Sequence, residues 1–301
     1  MRRMTRQRLR RHRDSTWRRL LLLAVAIATS LWLILSQLQP LKAQSITIRS
    51  GEATGVKSGN QEYLLKTAEL SSASASLPTP QVHPLPTPLA QWQDVTDAGD
   101  YFSEIKLTPV GYLVWSHFPV TIYVERPKEP NESSASNQRF QKWVDAVLQA
   151  VREWNIYLPL QVVTQREGAD ILILRERPPV QASLDRETGK FNIPRARSAQ
   201  TRYEFYLRQT DKAPQEILSQ RLTIQLSPHQ TDHYTLATAR HELGHALGLW
   251  GHSALETDIM YFSQVRHSPQ ISVRDINTLK RIYQQPTRVG WPLATQTPGE
   301  E

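Results

Sequence analysis

Two histidines separated by three residues stand in the segment HELGHALGLWGHS, which begins at His241. On an α-helix, residues four apart project from one face, so the imidazoles of His241 and His245 can reach one metal ion. Glu242 lies about 100° further round such a helix, close to a water on that ion without being a ligand. The pattern predicts a zinc site at which Glu242 acts as general base in a hydrolysis.

The third ligand is expected just beyond this helix. Gly248 stands where the helix must stop for the chain to turn back beneath the metal, and glycine adopts positive φ at little cost. His252 follows four residues later and can complete a three-histidine site that leaves one position for water. Asp258 is a weaker candidate ligand, because it stands close to Met260 and is expected to bond within its own turn.

These residues resemble the metzincin zinc proteases, and the matrixin branch is the most similar. The shared features are HExxHxxG, a third histidine followed by Ser253, and a methionine turn at Met260-Tyr261, eight residues after His252. Residues 147–162 resemble the first helix and second strand of that family. The resemblance covers roughly Phe118 to Tyr283 and includes a C-terminal helix from Ile271 to Tyr283.

The resemblance implies an α+β fold of metzincin type. Its parts are a twisted mixed five-stranded sheet, an active-site helix, a Met-turn and a C-terminal helix. It also implies zinc, hydrolysis of internal peptide bonds, and a peptide or protein substrate held in extended form as an extra antiparallel strand. Met260 would form the hydrophobic floor beneath the metal. For Tyr261, packing alone and a place in the specificity pocket both stay open.

Four features depart from the matrixin pattern. Matrixins place the third histidine three residues after the glycine, whereas here Leu249, Trp250 and Gly251 intervene. We interpret this as one inserted residue, with Gly251 letting the turn bulge. Phe262 replaces the proline that follows the Met-Tyr pair. The chain also lacks a Gly- and Asp-rich calcium loop of the matrixin kind, which leaves calcium open, and it has no cysteine for a prodomain latency switch.

The formal charge of +8 belongs to the N-terminal tail alone. Residues 1–19 contain nine arginines and one acid, so the other 282 residues sum to about zero. A folded surface without excess positive charge argues against a nucleic-acid partner.

The tail leads into an uncharged segment from Leu20 to Leu38. Nineteen apolar residues suffice to cross the roughly 30 Å core of a bilayer, and the arginines orient the N-terminus inwards. We expect a membrane anchor with an exported periplasmic or extracellular domain. The alternative is a signal peptide cleaved before Gln44, although Leu41 stands where a small residue is preferred.

The remaining chain divides by composition. A Ser/Pro-rich linker is expected over 44–91, a catalytic domain over 92–285 and a flexible tail over 286–301. Within the domain, periodicity predicts helices at 140–156, 234–249 and 273–283 and a surface loop at 176–202. The predicted strands are 118–124, 160–163, 171–174, 203–207 and 222–226.

A non-catalytic cell-envelope binding module on a vestigial metzincin fold is the alternative function. Its long tether would suit that role, but such a module would not need Glu242. The oligomeric state is left open.

Overall fold

The computed structural model describes residues 62–65, 77–129, 133–179, 183–184, 191–192, 197–210 and 213–293. All of them belong to the unit Ser58–Glu301. The basic tail and the predicted anchor Leu20–Leu38 lie outside the described residues. Among the residues that the structure describes, no helix has both the length and the apolar character needed to cross a membrane.

Strands and helices alternate irregularly along the described chain. The strands are β1 (Glu62–Leu65), β2 (Val120–Val124), β3 (Leu160–Val163), β4 (Ile171–Leu174), β5 (Ser183–Leu184), β6 (Phe191–Asn192), β7 (Ala199–Thr210) and β8 (Ala213–Leu226). The helices are α1 (Thr87–Gln91), α2 (Ala135–Trp154), α3 (Asp232–Ala246) and α4 (Val273–Tyr283).

The main sheet has the strand order β1-β7-β8-β4-β2-β3. β2 lies parallel to both β3 and β4, and β4 lies parallel to β8. β7 runs antiparallel to β8, and β1 runs antiparallel to β7. The five strands from β2 to β8 in this sheet confirm the expected mixed α+β architecture, and β1 adds a sixth strand at one edge.

Helix α2 packs on α3 and buries one face of its length. Its buried residues recur at helical spacing: Trp143, Val144, Ala146, Val147, Ala150, Val151 and Trp154. The helix begins five residues before the predicted start, because the Ser134 hydroxyl caps it by accepting from the Asn137 amide. An ion pair between Glu153 and the buried Arg240 joins the two helices.

The structure differs from the sequence prediction where the loop at 176–202 was expected. Strand β7 starts at Ala199 and forms a long hairpin with β8. The predicted linker and tail also have ordered parts. Leu89 is fully buried in the main core, and the backbones of Gln81 and Thr287 pair as an antiparallel bridge. Residues 77–91 and 286–293 are therefore packed on the domain.

Candidate metal centre

Helix α3 carries the HExxH residues, and both of its ends are capped. At the start, the Thr231 hydroxyl accepts from the Tyr234 amide. At the end, the amides of Gly248 and Leu249 bond back to the carbonyls of His245 and Gly244. This pair of bonds is a Schellman motif, which requires positive φ at Gly248; the observed φ is 126°. Gly248 thus ends the helix as the sequence predicts.

Three aromatic side chains hold the carbonyls along this helix. The Trp154 indole donates to the Arg240 carbonyl at 2.9 Å, and the Trp115 indole donates to the Ala246 carbonyl at 3.0 Å. The Tyr283 hydroxyl donates to the Leu247 carbonyl at 3.0 Å. The carbonyls of Ala246 and Leu247 lie at the end of α3 and have no hydrogen-bond partner within the helix. Buried aromatic donors satisfy them instead. The position of α3 is thereby fixed from three other segments.

The chain from Gly248 to His252 folds into two successive three-residue turns. The Trp250 amide bonds to the Gly248 carbonyl at 2.7 Å, and the Gly251 amide bonds to the Leu249 carbonyl at 2.9 Å. Gly251 does not adopt positive φ. A Cβ at Gly251 would lie 2.2 Å from the Glu104 carbonyl oxygen, so glycine is needed here for close packing rather than for a special dihedral angle.

These turns bring His252 to the two histidines of α3. Nitrogen atoms of His241, His245 and His252 all lie within 4.8 Å of one another. Nδ1 of His241 bonds to the Ile259 carbonyl at 2.8 Å, and Nδ1 of His245 bonds to the Leu249 carbonyl at 2.7 Å. A carbonyl only accepts, so each Nδ1 carries the proton and each Nε2 keeps a lone pair for a metal ion.

The three imidazoles are held neutral, which suits metal binding. Burial lowers the pKa of His241 and lowers that of His245 well below its usual value. Burial and the charges of His241 and Lys106 lower the pKa of His252 to about 4. Neutral nitrogens in this number match the ligand set of an open zinc site.

Glu242 is buried beside the histidines and has a partner on the sheet. The Thr201 hydroxyl donates to Oε2 of Glu242 at 2.6 Å. Burial raises the pKa of Glu242 to about 7, although Thr201 and Arg197 act in the opposite direction. A carboxyl group with a pKa near neutrality can both take up and release a proton at physiological pH.

Met260 packs directly against α3 at Gly244. It is fully buried, and its sulfur would be 2.3 Å from a Cβ placed on Gly244. Gly244, in the middle of the HExxH segment, is therefore required for contact between α3 and the turn below. The neighbouring Tyr261 is partly exposed and lines the cleft, where its ring lies 4.4 Å from that of Phe262.

Asp258 is held inside the same turn. Its carboxylate accepts from Ser253 at 2.5 Å, from Ser272 at 2.7 Å and from Arg274 at 3.1 Å. The side chain is 1% exposed. Three donors occupy this carboxylate, so Asp258 organises the turn, and it is not part of the cluster that the three histidines form.

Helix α4 supports the turn through a second acid. Asp275 forms a capping box with Ser272 and accepts from the Ile259 amide at 3.0 Å. The Ile259 carbonyl is the group that holds His241. The start of α4 is thus connected to the first histidine through one residue of the Met-turn.

The acidic loop 94–100 also docks on α4. Arg274 donates to the carbonyls of Ala98 and Asp100, and Asn277 donates to the Gly99 carbonyl at 2.8 Å. Side chains of α4 therefore hydrogen-bond to three carbonyl oxygens of this loop.

Across the described ranges, the three histidines form the one cluster of at least three His, Asp or Glu side chains with convergent ligand atoms.

A cleft of about 960 Å³ opens over the histidines. Its lining includes the start of β7, with Ala199 and Thr201, and residues between Ile259 and Pro269. β1 pairs with β7 only from Phe205 to Arg208, so within the described chain the outer edge of residues 199–204 has no neighbouring strand. The cleft therefore borders the open edge of β7.

The sequence analysis missed Thr201 and Gly244. Thr201 lay in the predicted loop, and its hydroxyl meets Glu242 only because β7 crosses α3. Gly244 could have been noticed, because glycine within a helix costs about 1 kcal/mol relative to alanine and calls for a packing reason.

Comparison with protein families agrees with this geometry. The matrixin family model matches residues 130–284, which run from the start of α2 to the end of α4. No curated protein matches the chain. Because the match covers more than half of the 301 residues and includes the helix, the turns and the histidines described above, the chain belongs to the matrixin family of zinc metallopeptidases.

Proposed function

We propose that this protein is a zinc-dependent endopeptidase that hydrolyses internal peptide bonds. His241, His245 and His252 would hold the zinc ion, and Glu242 would be the general base. The observation that carries the proposal is the convergence of three neutral imidazoles beside one buried carboxyl group in an open groove.

Different groups of the chain would carry out separate parts of the reaction. Bound zinc supplies a Lewis acid that polarises the substrate carbonyl and acidifies a water molecule. Glu242 takes the proton of the attacking water on a carboxylate oxygen and delivers it to the leaving amine. The Ile259 and Leu249 carbonyls keep His241 and His245 in the required tautomer and orientation.

The substrate would lie extended along the open edge of β7. Main-chain groups of residues 199–204 are available for an additional antiparallel strand, as in other cases of β-strand addition. A chain so placed passes above Glu242 and the histidines, because the first residues of β7 and the histidines line the same cleft. Tyr261 and Phe262 also line the cleft and would contact substrate side chains.

A peptide-library digestion tests this function. We expect internal cleavage by the purified full-length protein, loss of cleavage with a zinc chelator, and recovery when zinc is restored. Products trimmed only from the ends would contradict endopeptidase action. Zinc binding without any cleavage would favour the vestigial binding module instead.

We further propose that Leu20–Leu38 anchors the protein and that the catalytic domain is exported. The support is the uncharged run of nineteen residues behind nine arginines. Fractionation of cells that express the full chain tests it. An intact N-terminus in the membrane fraction is expected, whereas a soluble species beginning near Gln44 would identify a cleaved signal peptide.

A further inference from the structure

We propose that Thr201 is a positioning residue for Glu242: its hydroxyl holds one carboxylate oxygen so that the other is presented to the reacting water. The inference rests on the proposed function and adds a residue of the sheet to the site. It is independent of the HExxH pattern, since Thr201 precedes Glu242 by 41 residues.

The contact is short and directional. Thr201 Oγ1 lies 2.6 Å from Oε2 of Glu242 and 3.2 Å from the Glu242 main-chain carbonyl. A hydroxyl has one proton to donate, and the carboxylate is both the nearer and the more highly charged acceptor. Each of the two residues is 8% exposed, so water competes little for this bond.

Both partners stand on rigid elements. Thr201 pairs with Ile224 in the β7–β8 ladder, where its backbone is fixed on one side. Glu242 is in the middle of α3, which aromatic donors and the Glu153–Arg240 ion pair fix against the rest of the domain. The hydrogen bond therefore holds the Glu242 carboxylate at a defined position between the strand and the helix.

No other side chain in the described ranges donates a hydrogen bond to the Glu242 carboxylate. Arg197 influences it through charge alone. Rotation about the last bond of a glutamate side chain is soft, so an unheld carboxylate samples many orientations. The Thr201 hydroxyl on Oε2 selects among them, and the Thr201 main-chain amide also interacts with this carboxylate. Misplacement of a reacting group by about 1 Å can cost up to about 10²-fold in rate.

The matched variants are Thr201→Val, which keeps the shape without the hydroxyl, and Thr201→Ser, which keeps the hydroxyl. We expect kcat for a cleaved peptide to fall about 10-fold or more in Thr201→Val, with KM changed less than about 2-fold. Thr201→Ser should recover most of the lost kcat. Zinc content, measured on each protein, should stay equal to that of the wild type.

A binding measurement gives a readout that does not require turnover. Acetohydroxamate chelates zinc and has an acidic proton that Glu242 can accept. Its affinity for the zinc-loaded protein should fall about 10-fold in Thr201→Val and recover in Thr201→Ser. In a Glu242→Gln background, the same two substitutions should change the affinity little, because glutamine cannot accept the hydroxamate proton in any orientation.

The outcomes separate the two proposals. If the wild type cleaves nothing, the proposed function fails, and the acetohydroxamate affinities still decide the role of Thr201. If Thr201→Val equals the wild type in both kcat and acetohydroxamate affinity, Thr201 does not position Glu242. Equal losses in Thr201→Val and Thr201→Ser would likewise overturn the proposal. Should Thr201→Val fail to fold, Thr201→Ala takes its place in the same comparison.

Discussion

Two buried carboxylates line the same cleft, but they receive different numbers of side-chain hydrogen bonds. Glu242, on α3, receives one side-chain hydrogen bond, from Thr201. Asp258, in the Met-turn, receives three, and one of its donors is the guanidinium of Arg274. Both residues are less than 10% exposed. Burial alone therefore does not distinguish an acid that reacts from one that organises a turn.

The difference lies in the hydrogen-bonding capacity that remains. A carboxylate can accept about four hydrogen bonds, and each bond to a fixed donor removes a position at which it could take a proton. Asp258 is nearly saturated, whereas Glu242 keeps one oxygen without a side-chain donor. We expect substitutions on the α3 side of the cleft to affect chemistry, and those on the Met-turn side to affect stability.

The largest effect is expected at His252. Substitution His252→Ala leaves two histidines, which is too few for an open zinc site, so most bound zinc and all activity should be lost. Zinc content determined on the purified variant is the measurement. His229→Ala, at an exposed histidine outside the cluster, is the matched control and should keep its zinc. A His252→Ala protein with full zinc content would show that another group is the third ligand.

Glu242→Gln is expected to have the next largest effect. Glutamine keeps the shape and can still accept from Thr201, but it cannot take a proton. The value of kcat should fall about 10²- to 10⁴-fold, since that is what a general base supplies. Zinc content and the midpoint of thermal unfolding should stay close to the wild-type values. Near-normal peptide hydrolysis by this variant would remove Glu242 from the mechanism.

Asp258→Ala should lower the stability of the protein and leave its zinc content unchanged. Removal of the carboxylate leaves Arg274, Ser253 and Ser272 without their common partner, which typically costs about 3 kcal/mol of unfolding free energy. Zinc content at saturating zinc should remain near that of the wild type. Chemical denaturation checks the stability, with Glu256→Ala at an exposed acid of the same turn as the control. A metal-free Asp258→Ala protein with normal stability would reverse the assignment of the two acids.

The smallest effect is expected at a third buried acid, Asp170, which lies just before β4, beside β2 and away from the cleft. Burial raises its pKa, but hydrogen bonds from His117 and Thr121 and the charge of His117 lower it overall. A depressed folded-state pKa stabilises the protein above the unfolded value of about 4, and this stabilisation is lost as the pH falls through the folded-state pKa.

Asp170→Asn should therefore lower the unfolding free energy by about 1.5 kcal/mol at pH 7 and by less below about pH 4. Denaturation at several pH values measures this difference. Glu167→Gln, at an exposed acid nearby, should show no such trend. A stability difference that grows towards low pH would mean that the pKa of Asp170 is raised in the folded state.

The elements predicted best from the sequence are those with strong local signals. β3, β4 and α4 have the predicted bounds. β4 is a continuous apolar run buried on both faces, and α4 combines helical periodicity with the Ser272–Asp275 capping box. For such segments the local pattern and the tertiary packing favour the same structure, so a prediction from the local pattern is correct.

The start of β7 shows why other elements were missed. Ala199 and Thr201 are small or polar although both are buried, and Thr201 contacts Glu242 on α3. Their pattern has no apolar alternation and resembles a loop. The histidines were found because two of them share a helix face; their carbonyl partners, Ile259 and Leu249, depend on turns that no spacing rule specifies.

The pairing of Gln81 with Thr287 has a mechanical consequence. Two backbone hydrogen bonds of 3.0 Å join these residues, Arg288 donates to the Pro78 carbonyl at 2.6 Å, and the His83 ring stacks on Trp291. Because β1 precedes Leu77 and pairs with β7, a pulling force from the N-terminal side would load the β1–β7 ladder first and the pairing of Gln81 with Thr287 next. Both would have to open before the force reached α1.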